Sequence, residues 1–251
     1  MIKNYYRPSN LEEALGLLSR DDVDIYPLGG GTQLSQPSAA PITVVDLQDL
    51  GLSDIHLRGN WLDIGATSTL QTLYDYDLTP DALRPAIMLE TNANIRQAGT
   101  IAGTIVAADG RSTLATALLA LNSIIEFMPN EVKVAMGDLL AARASQLKRR
   151  LITKISIPTN VQLAFKYVSR SPADLPQVCV GVAKWPSGRT RVTLGGYGEV
   201  PQLVLDGPES KGAVEAARVA YSTAGDEWAS ADFRQDVAAT LTRRCITDLS
   251  S

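Results

Sequence analysis

Residues 26–35, YPLGGGTQLS, set three consecutive glycines and two hydroxyls directly behind a short apolar run. Glycine has no Cβ, so such a run bends through positive φ without steric cost and leaves its N–H groups open to close approach. A fold that carries it uses the glycines for a tight turn or holds a ligand against bare backbone. Successive N–H donors, in a nest or at a following helix start, suit a phosphate or pyrophosphate, and Thr32 adds a hydroxyl donor. A second glycine- and hydroxyl-rich stretch, NIRQAGTIAGTI, lies at 94–105 and contains Thr100. Each stretch alone is weak evidence for a ligand and reads first as a plain tight turn. Two of them, each behind an apolar segment, point to one extended ligand held from two sides.

Familiar phosphate motifs are absent. GGGTQLS lacks the Gly-Lys-Ser/Thr of a P-loop, and Leu34 stands where a dinucleotide fingerprint needs its third glycine. With a formal net charge of −4 and scattered basic residues, the 251-residue chain offers no basic face for nucleic acid; its one tight cluster, LKRR at 147–150, reads as solvated surface. No apolar stretch approaches the roughly 18–20 residues of a membrane helix, and MIKNYYRPSN has no signal-peptide core, so a cytoplasmic protein is expected. Cys179 and Cys245 have no CxxC spacing and no histidine companion, which leaves a zinc site, an iron–sulfur cluster or a disulfide framework without ligands. The single histidine, His56, falls in DIHLRGNWLDIG, two strands around a Gly59-Asn60 turn, and reads as a surface side chain.

The element order is mixed. Ser9 with Glu12 has capping-box spacing ahead of a helix at 11–18; strands follow at 24–28 and 42–47, separated by a loop ending in Pro37 and Pro41. Thr67 or Ser68 caps a helix near 69–76, another helix fits 81–91, and Ser112 or Asp109 caps a helix at 113–121 before an apolar strand. From 152 the pattern is strand-like through ITKISIP, LAFKYVSR, QVCVGVAKW and RTRVTLGGYG, with a turn at Pro186-Ser187-Gly188, before helices near 211–223 and 230–248. Strands followed by helices predict an α+β second domain beyond a boundary at 158–160.

Six ordered segments then resemble one family, the FAD-binding subunits of molybdenum hydroxylases of the carbon monoxide dehydrogenase and xanthine dehydrogenase type. YYRPSNLEEALGLL is similar to the family's opening helix and LGGGTQL to its Ala-Gly-Gly-Thr-Asp-Leu loop. LDIGATSTL matches Leu-x-Ile-Gly-Ala-x-Thr, and NIRQAGTIAGTI resembles Gln-Ile-Arg-Asn-x-Gly-Thr-Ile-Gly-Gly-Asn. AFKYVSR and DEWASADFRQDVAATLTRRCI resemble the start and the closing helix of its C-terminal domain.

The resemblance implies an α+β chain with a two-lobed FAD-binding domain of the vanillyl-alcohol-oxidase/PCMH type at 1–159, its lobes at about 1–52 and 53–159. A C-terminal domain with a three-to-four-stranded antiparallel sheet and helices would follow at 160–251. It implies an oxidoreductase subunit with no catalytic side chain of its own, since the flavin carries the redox chemistry. Leu28, Gly29, Gly30, Gly31, Thr32, Gln33 and Leu34 would meet the pyrophosphate, and Thr100, Ile101, Gly103 and Thr104 would line the opposite side. Ser112 would touch the cofactor, Ile152 would lie beside the ring system and Lys166 near the isoalloxazine, whereas Arg96 and Arg170 read as structural pairs.

Partners implied are a large molybdopterin subunit and a small subunit with two [2Fe-2S] clusters, in a heterotrimer or its dimer, with NAD or another electron acceptor. Ala102-Gly103-Thr104 replaces the family's Gly-Gly-Asn and Ser112-Thr113 its Ser-Asp, and the segment between Glu126 and Leu151 is shorter than usual. These departures keep a second reading open: a flavin-free structural or assembly subunit of the same kind of complex.

Overall fold

The structure, a computed structural model, describes residues 2–20, 24–36, 40–172 and 174–250; Pro37, expected to end the first glycine loop, lies outside the described residues. A parallel three-stranded sheet comes first, in the spatial order Ile2–Tyr6, Ile42–Asp46, Ile25–Leu28. The strand Ile2–Tyr6 has almost no buried face, so it carries no apolar alternation to betray it in the sequence. The helix Leu11–Leu18 covers this sheet, and Ala14, Val45, Leu47 and Leu151 form a small core beneath it. Its cap is Asn10 rather than Ser9: Asn10 Oδ1 accepts the Glu13 N–H at 2.9 Å, and the Glu13 carboxylate accepts the Ser9 N–H at 3.1 Å. The capping logic holds one residue downstream of the expected position.

A five-stranded antiparallel sheet follows, ordered Ile55–Arg58, Trp61–Gly65, Leu151–Pro158, Ile124–Met128, Val132–Ala135. The hairpin turns at Gly59-Asn60 as expected, with His56 on its exposed side. ITKISIP, grouped by sequence with the later strands, instead joins this sheet, where it bridges Trp61–Gly65 and Ile124–Met128. The helix Leu70–Asp75 is capped by Thr69, not Thr67 or Ser68, because the Ser68 hydroxyl donates to the Ser53 carbonyl at 2.8 Å. The expected helix at 81–91 is a 3-10 turn, Asp81–Leu83, running into the helix Arg84–Glu90.

The last sheet is four-stranded and antiparallel, in the order Gln202–Gly207, Thr190–Gly195, Val178–Lys184, Gln162–Val168, as the α+β reading requires. The helices Ala213–Ala220 and Ala231–Asp248 pack on one side of it. Against it also lies the helix Thr113–Ala120, capped by Ser112 and buried on every residue. Such all-round burial needs close neighbours, and Gly195 supplies one: a Cβ there would stand 2.2 Å from Thr116 Oγ1. This helix joins the main core and carries Ser112 and Thr113 at the end facing the candidate site.

Candidate functional site

The strand Ile25–Leu28 runs straight into the first glycine segment. Gly31 takes φ 70°, and Ser35 N–H then donates to the Gly31 carbonyl at 3.0 Å and Gln36 N–H to the Gln33 carbonyl at 3.1 Å, closing one helical turn. Before and within that turn, the N–H groups of Gly29 through Leu34 meet no acceptor among the described residues. Six successive backbone N–H groups without acceptors leave this glycine turn with donors available to an anion.

The second glycine segment is not a loop. It folds as two short helices, Ala93–Ala98 and Ile101–Ala107, with Asn92 and Thr100 as their caps. Thr100 Oγ1 accepts the Gly103 N–H at 3.2 Å and its carbonyl accepts the Thr104 N–H at 2.9 Å. Ile101 N–H donates to Ser68 O at 2.9 Å and Ala102 N–H to Ala66 O at 3.2 Å. The N–H donors of 101–104 are therefore consumed inside the fold, and this wall presents side chains and carbon surface instead. Two glycines and a β-branched run conceal the helices from a periodicity reading; their caps, Asn92 and Thr100, were the available signal.

The two segments touch. A Cβ on Gly30 would lie 1.6 Å from the Ala98 carbonyl oxygen, and one on Gly29 would lie 2.8 Å from Thr100 Oγ1. On one side of this contact opens a largely apolar pocket of about 450 Å³, lined by Gly29, Ala66, Thr100, Val106 and Ile152, with Lys148, Arg149 and Arg150 along it. On the other side is a polar pocket of about 210 Å³, lined by Thr32, Gln33, Glu90, Thr104, Asp109 and Ser112. Gly103 borders both. The LKRR cluster, read as solvated surface, is exposed at Lys148 and Arg149 and at the same time borders the larger pocket.

Of the site residues named from sequence, Gly29, Thr32, Gln33, Thr100, Gly103, Thr104, Ser112 and Ile152 thus gather around the two pockets. Leu28 precedes the donor row, to which Gly30, Gly31 and Leu34 belong, and these four residues border neither pocket. Ile101 sends its side chain into the main core, and Lys166 lies on the strand Gln162–Val168 with its ammonium 2.7 Å from Asp248 Oδ2. Neither borders the pockets. Arg96 is structural, donating to the carbonyls of Met88 and Thr91, and Arg170 stacks 4.8 Å from the centre of the Trp228 ring.

Sequence reasoning missed Glu90. Its carboxylate accepts the Leu114 N–H at 2.8 Å and the hydroxyls of Ser112 at 2.9 Å and Thr113 at 3.1 Å. Burial among protein atoms pushes its pKa up, against those donors, and Asp109 pushes the same way. The one available signal was position: a carboxylate in the last turn of a helix opposes the helix dipole unless donors outside that helix receive it.

Residues 1–160 match the family described as the FAD binding domain in molybdopterin dehydrogenase. The chain belongs to that family. Among relatives of this flavin-domain family, the protein YgfM of Escherichia coli K12 is 33% identical over 198 residues, covering 78% of this chain and 75% of its own. The carbon monoxide dehydrogenase medium chain of Afipia carboxidovorans is 26% identical over 273 residues, covering 97% of this chain and 95% of its own. A solved structure of reconstituted CO dehydrogenase from Oligotropha carboxidovorans superposes with a TM-score of 0.81 at 25% identity, covering 97% of this chain and 96% of that one. The resemblance read from the sequence, to FAD-binding medium subunits of molybdenum hydroxylases, holds.

Proposed function

We propose that this chain is the FAD-binding electron-transfer subunit of a cytoplasmic molybdopterin-dependent hydroxylase or dehydrogenase. In that assembly it takes electrons from [2Fe-2S] clusters on a small partner subunit and passes them to an external acceptor such as NAD. A large partner subunit holds the molybdopterin and oxidises the substrate, in a heterotrimer or its dimer. Bound FAD would supply the redox chemistry, and the protein's part is to bind, orient and shield it.

The observation that carries this reading is the row of acceptor-free N–H groups from Gly29 to Leu34, set between two pockets of different character. The donor set fits a dinucleotide. The row suits the pyrophosphate, with Gly30 and Gly31 in it and Leu28 behind it, and the positive charges of Lys148 and Arg150 complement a phosphate nearby. The larger pocket, floored by Ile152 and Ala66 beside Thr100, suits a flat ring system. Thr32, Thr104 and Ser112 line the smaller pocket with hydroxyls, and Gly103 lets both halves pass close to the helix Ile101–Ala107. Ile101 contributes by holding that helix in the core, and Lys166 would reach a flavin only by releasing Asp248.

The flavin-free scaffold draws support from one observation, the internally satisfied N–H groups of 101–104. Purification decides between them. A yellow protein with flavin absorption that survives gel filtration, or that appears on titration with FAD, is expected; a colourless chain that takes up no added FAD assigns the scaffold.

A further inference from the structure

Glu90 has no part in the donor row or in the second segment, yet a separate helix, Arg84–Glu90, brings it to the lining of the smaller pocket. Its carboxylate is held at a fixed place by the start of the helix Thr113–Ala120. Two carboxylate oxygens offer about four lone-pair sites. Ser112 contacts Oε1 at 2.9 Å and Oε2 at 3.0 Å with one shared hydroxyl hydrogen, and the Thr113 hydroxyl also serves the Ala86 carbonyl at 2.7 Å. Oε2 receives the Leu114 N–H, so the unfilled capacity is on Oε1. The residue is partly exposed and lines the pocket.

Whether or not it carries a proton, the Glu90 carboxyl accepts hydroxyl hydrogens, and Asp109 beside it disfavours a phosphate at this place. The other polar side chains of the pocket, Thr32, Gln33, Thr91, Thr104 and Ser112, are neutral, and the hydroxyl hydrogens of Thr104 and Ser112 go to the Thr100 carbonyl and Glu90. Thr113, where the resembled family has Asp, contributes no negative charge, which leaves Glu90 as the carboxylate bonded to this helix start.

We infer that Glu90 is a specificity-determining residue that receives a hydroxyl of the polyol part of the bound dinucleotide, either the ribityl chain or the ribose. This rests on the flavin reading above. Titrating full-length wild type, Glu90→Ala and Glu90→Gln with FAD, FMN, ADP and inorganic pyrophosphate tests it. Wild type is expected to bind FAD, and Glu90→Ala to bind it roughly tenfold or more weakly with pyrophosphate affinity unchanged. A loss shared by FMN but not ADP assigns the ribityl chain, and a loss shared by ADP but not FMN assigns the ribose; both support the inference. Should Glu90→Ala fail to fold, judged by circular dichroism, Glu90→Gln carries the test, with a loss of several-fold expected. Unchanged FAD affinity in the folded variants overturns the inference alone, as does an equal loss for pyrophosphate, which marks general collapse of the pocket. A wild type that takes up neither FAD nor its fragments overturns the flavin reading and this inference together.

Discussion

Gly30 rests against Ala98 so closely that no side chain fits between them: a Cβ on Gly30 would stand 1.6 Å from the Ala98 carbonyl oxygen. That contact, rather than open space for a ligand, is what forbids a side chain at Gly30. Gly30→Val must therefore part the two segments that divide the pockets. Overpacking of this kind costs about 1–3 kcal/mol, and the donor row moves with it. Urea unfolding should show the loss without any ligand present, and FAD uptake should fall as well; a variant of unchanged stability would mean that the segments are not in contact.

Gly16 provides the contrast. It lies within the exposed face of the helix Leu11–Leu18, and an added Cβ meets nothing within 4 Å. Gly16→Ala should raise stability by about 0.5–1 kcal/mol, read as a higher thermal midpoint, with flavin binding unaltered.

The contrast between these glycines shows which parts of the molecule were legible in the sequence. Gly29–Gly31 announced bare backbone, and the hairpin at Gly59-Asn60, the Ser112 cap and the four strands' antiparallel character followed from local chemistry. What escaped depends on partners distant along the chain. The strand Ile2–Tyr6 exists through its parallel pairing with Ile42–Asp46, and Leu151–Pro158 changes sheets because its partners are Trp61–Gly65 and Ile124–Met128. Glu90 has a role only because the helix Thr113–Ala120 starts beside it. Hydrophobic periodicity reports none of these relationships.

Arg234 should be the most damaging charged residue to remove. It is buried, donates to the carbonyls of Gln177, Ala224 and Ala229 at 3.2, 2.7 and 2.9 Å, and pairs with Asp226 at 2.9 Å. Its guanidinium also lies 4.9 Å from the centre of the Tyr197 ring. Arg234→Ala leaves the Gln177 and Ala224 carbonyls without their donor, and Ala229 with only the Asp226 N–H, and should cost about 3–5 kcal/mol by chemical denaturation. Asp226→Asn keeps the carbonyl bonds and should cost far less. Equal losses from the two variants would show that the ion pair, not the carbonyl bonding, holds this corner.

Lys148 and Arg150 border the apolar pocket without forming its floor. Lys148→Ala and Arg150→Ala should slow and weaken FAD association at low ionic strength, with the difference from wild type shrinking as salt is added, because charges near the surface are screened over a Debye length of about 10 Å at 0.1 M. Stopped-flow flavin fluorescence at two salt concentrations reads this. A deficit that does not change with salt would place these side chains in direct contact with the ligand.

Glu90 gives the protein a pH dependence of a particular sign. Burial holds its carboxyl above the ordinary value of 4.5, while the donors Leu114 N–H, Ser112 and Thr113 oppose that rise and Asp109 adds to it. The folded chain therefore keeps a proton on Glu90 that the unfolded chain has already released. Between the two titrations the native state binds more protons than the unfolded state, so the stability contributed by the protonated group is present below the unfolded value and is lost as pH rises through the folded one. Carboxylates held low by their partners, such as Asp63, Asp206 and Asp226, work in the opposite direction, but they are common to wild type and variant and cancel in the difference. Glu90→Gln removes the titration and leaves a constant offset from its altered hydrogen bonds. The stability of Glu90→Gln relative to wild type should accordingly climb from acid toward neutral pH, with a slope no steeper than about 1.4 kcal/mol per pH unit for one proton. A flat difference across that range, measured by urea unfolding without flavin, would mean that the donors balance burial, and a difference that falls with pH that they outweigh it.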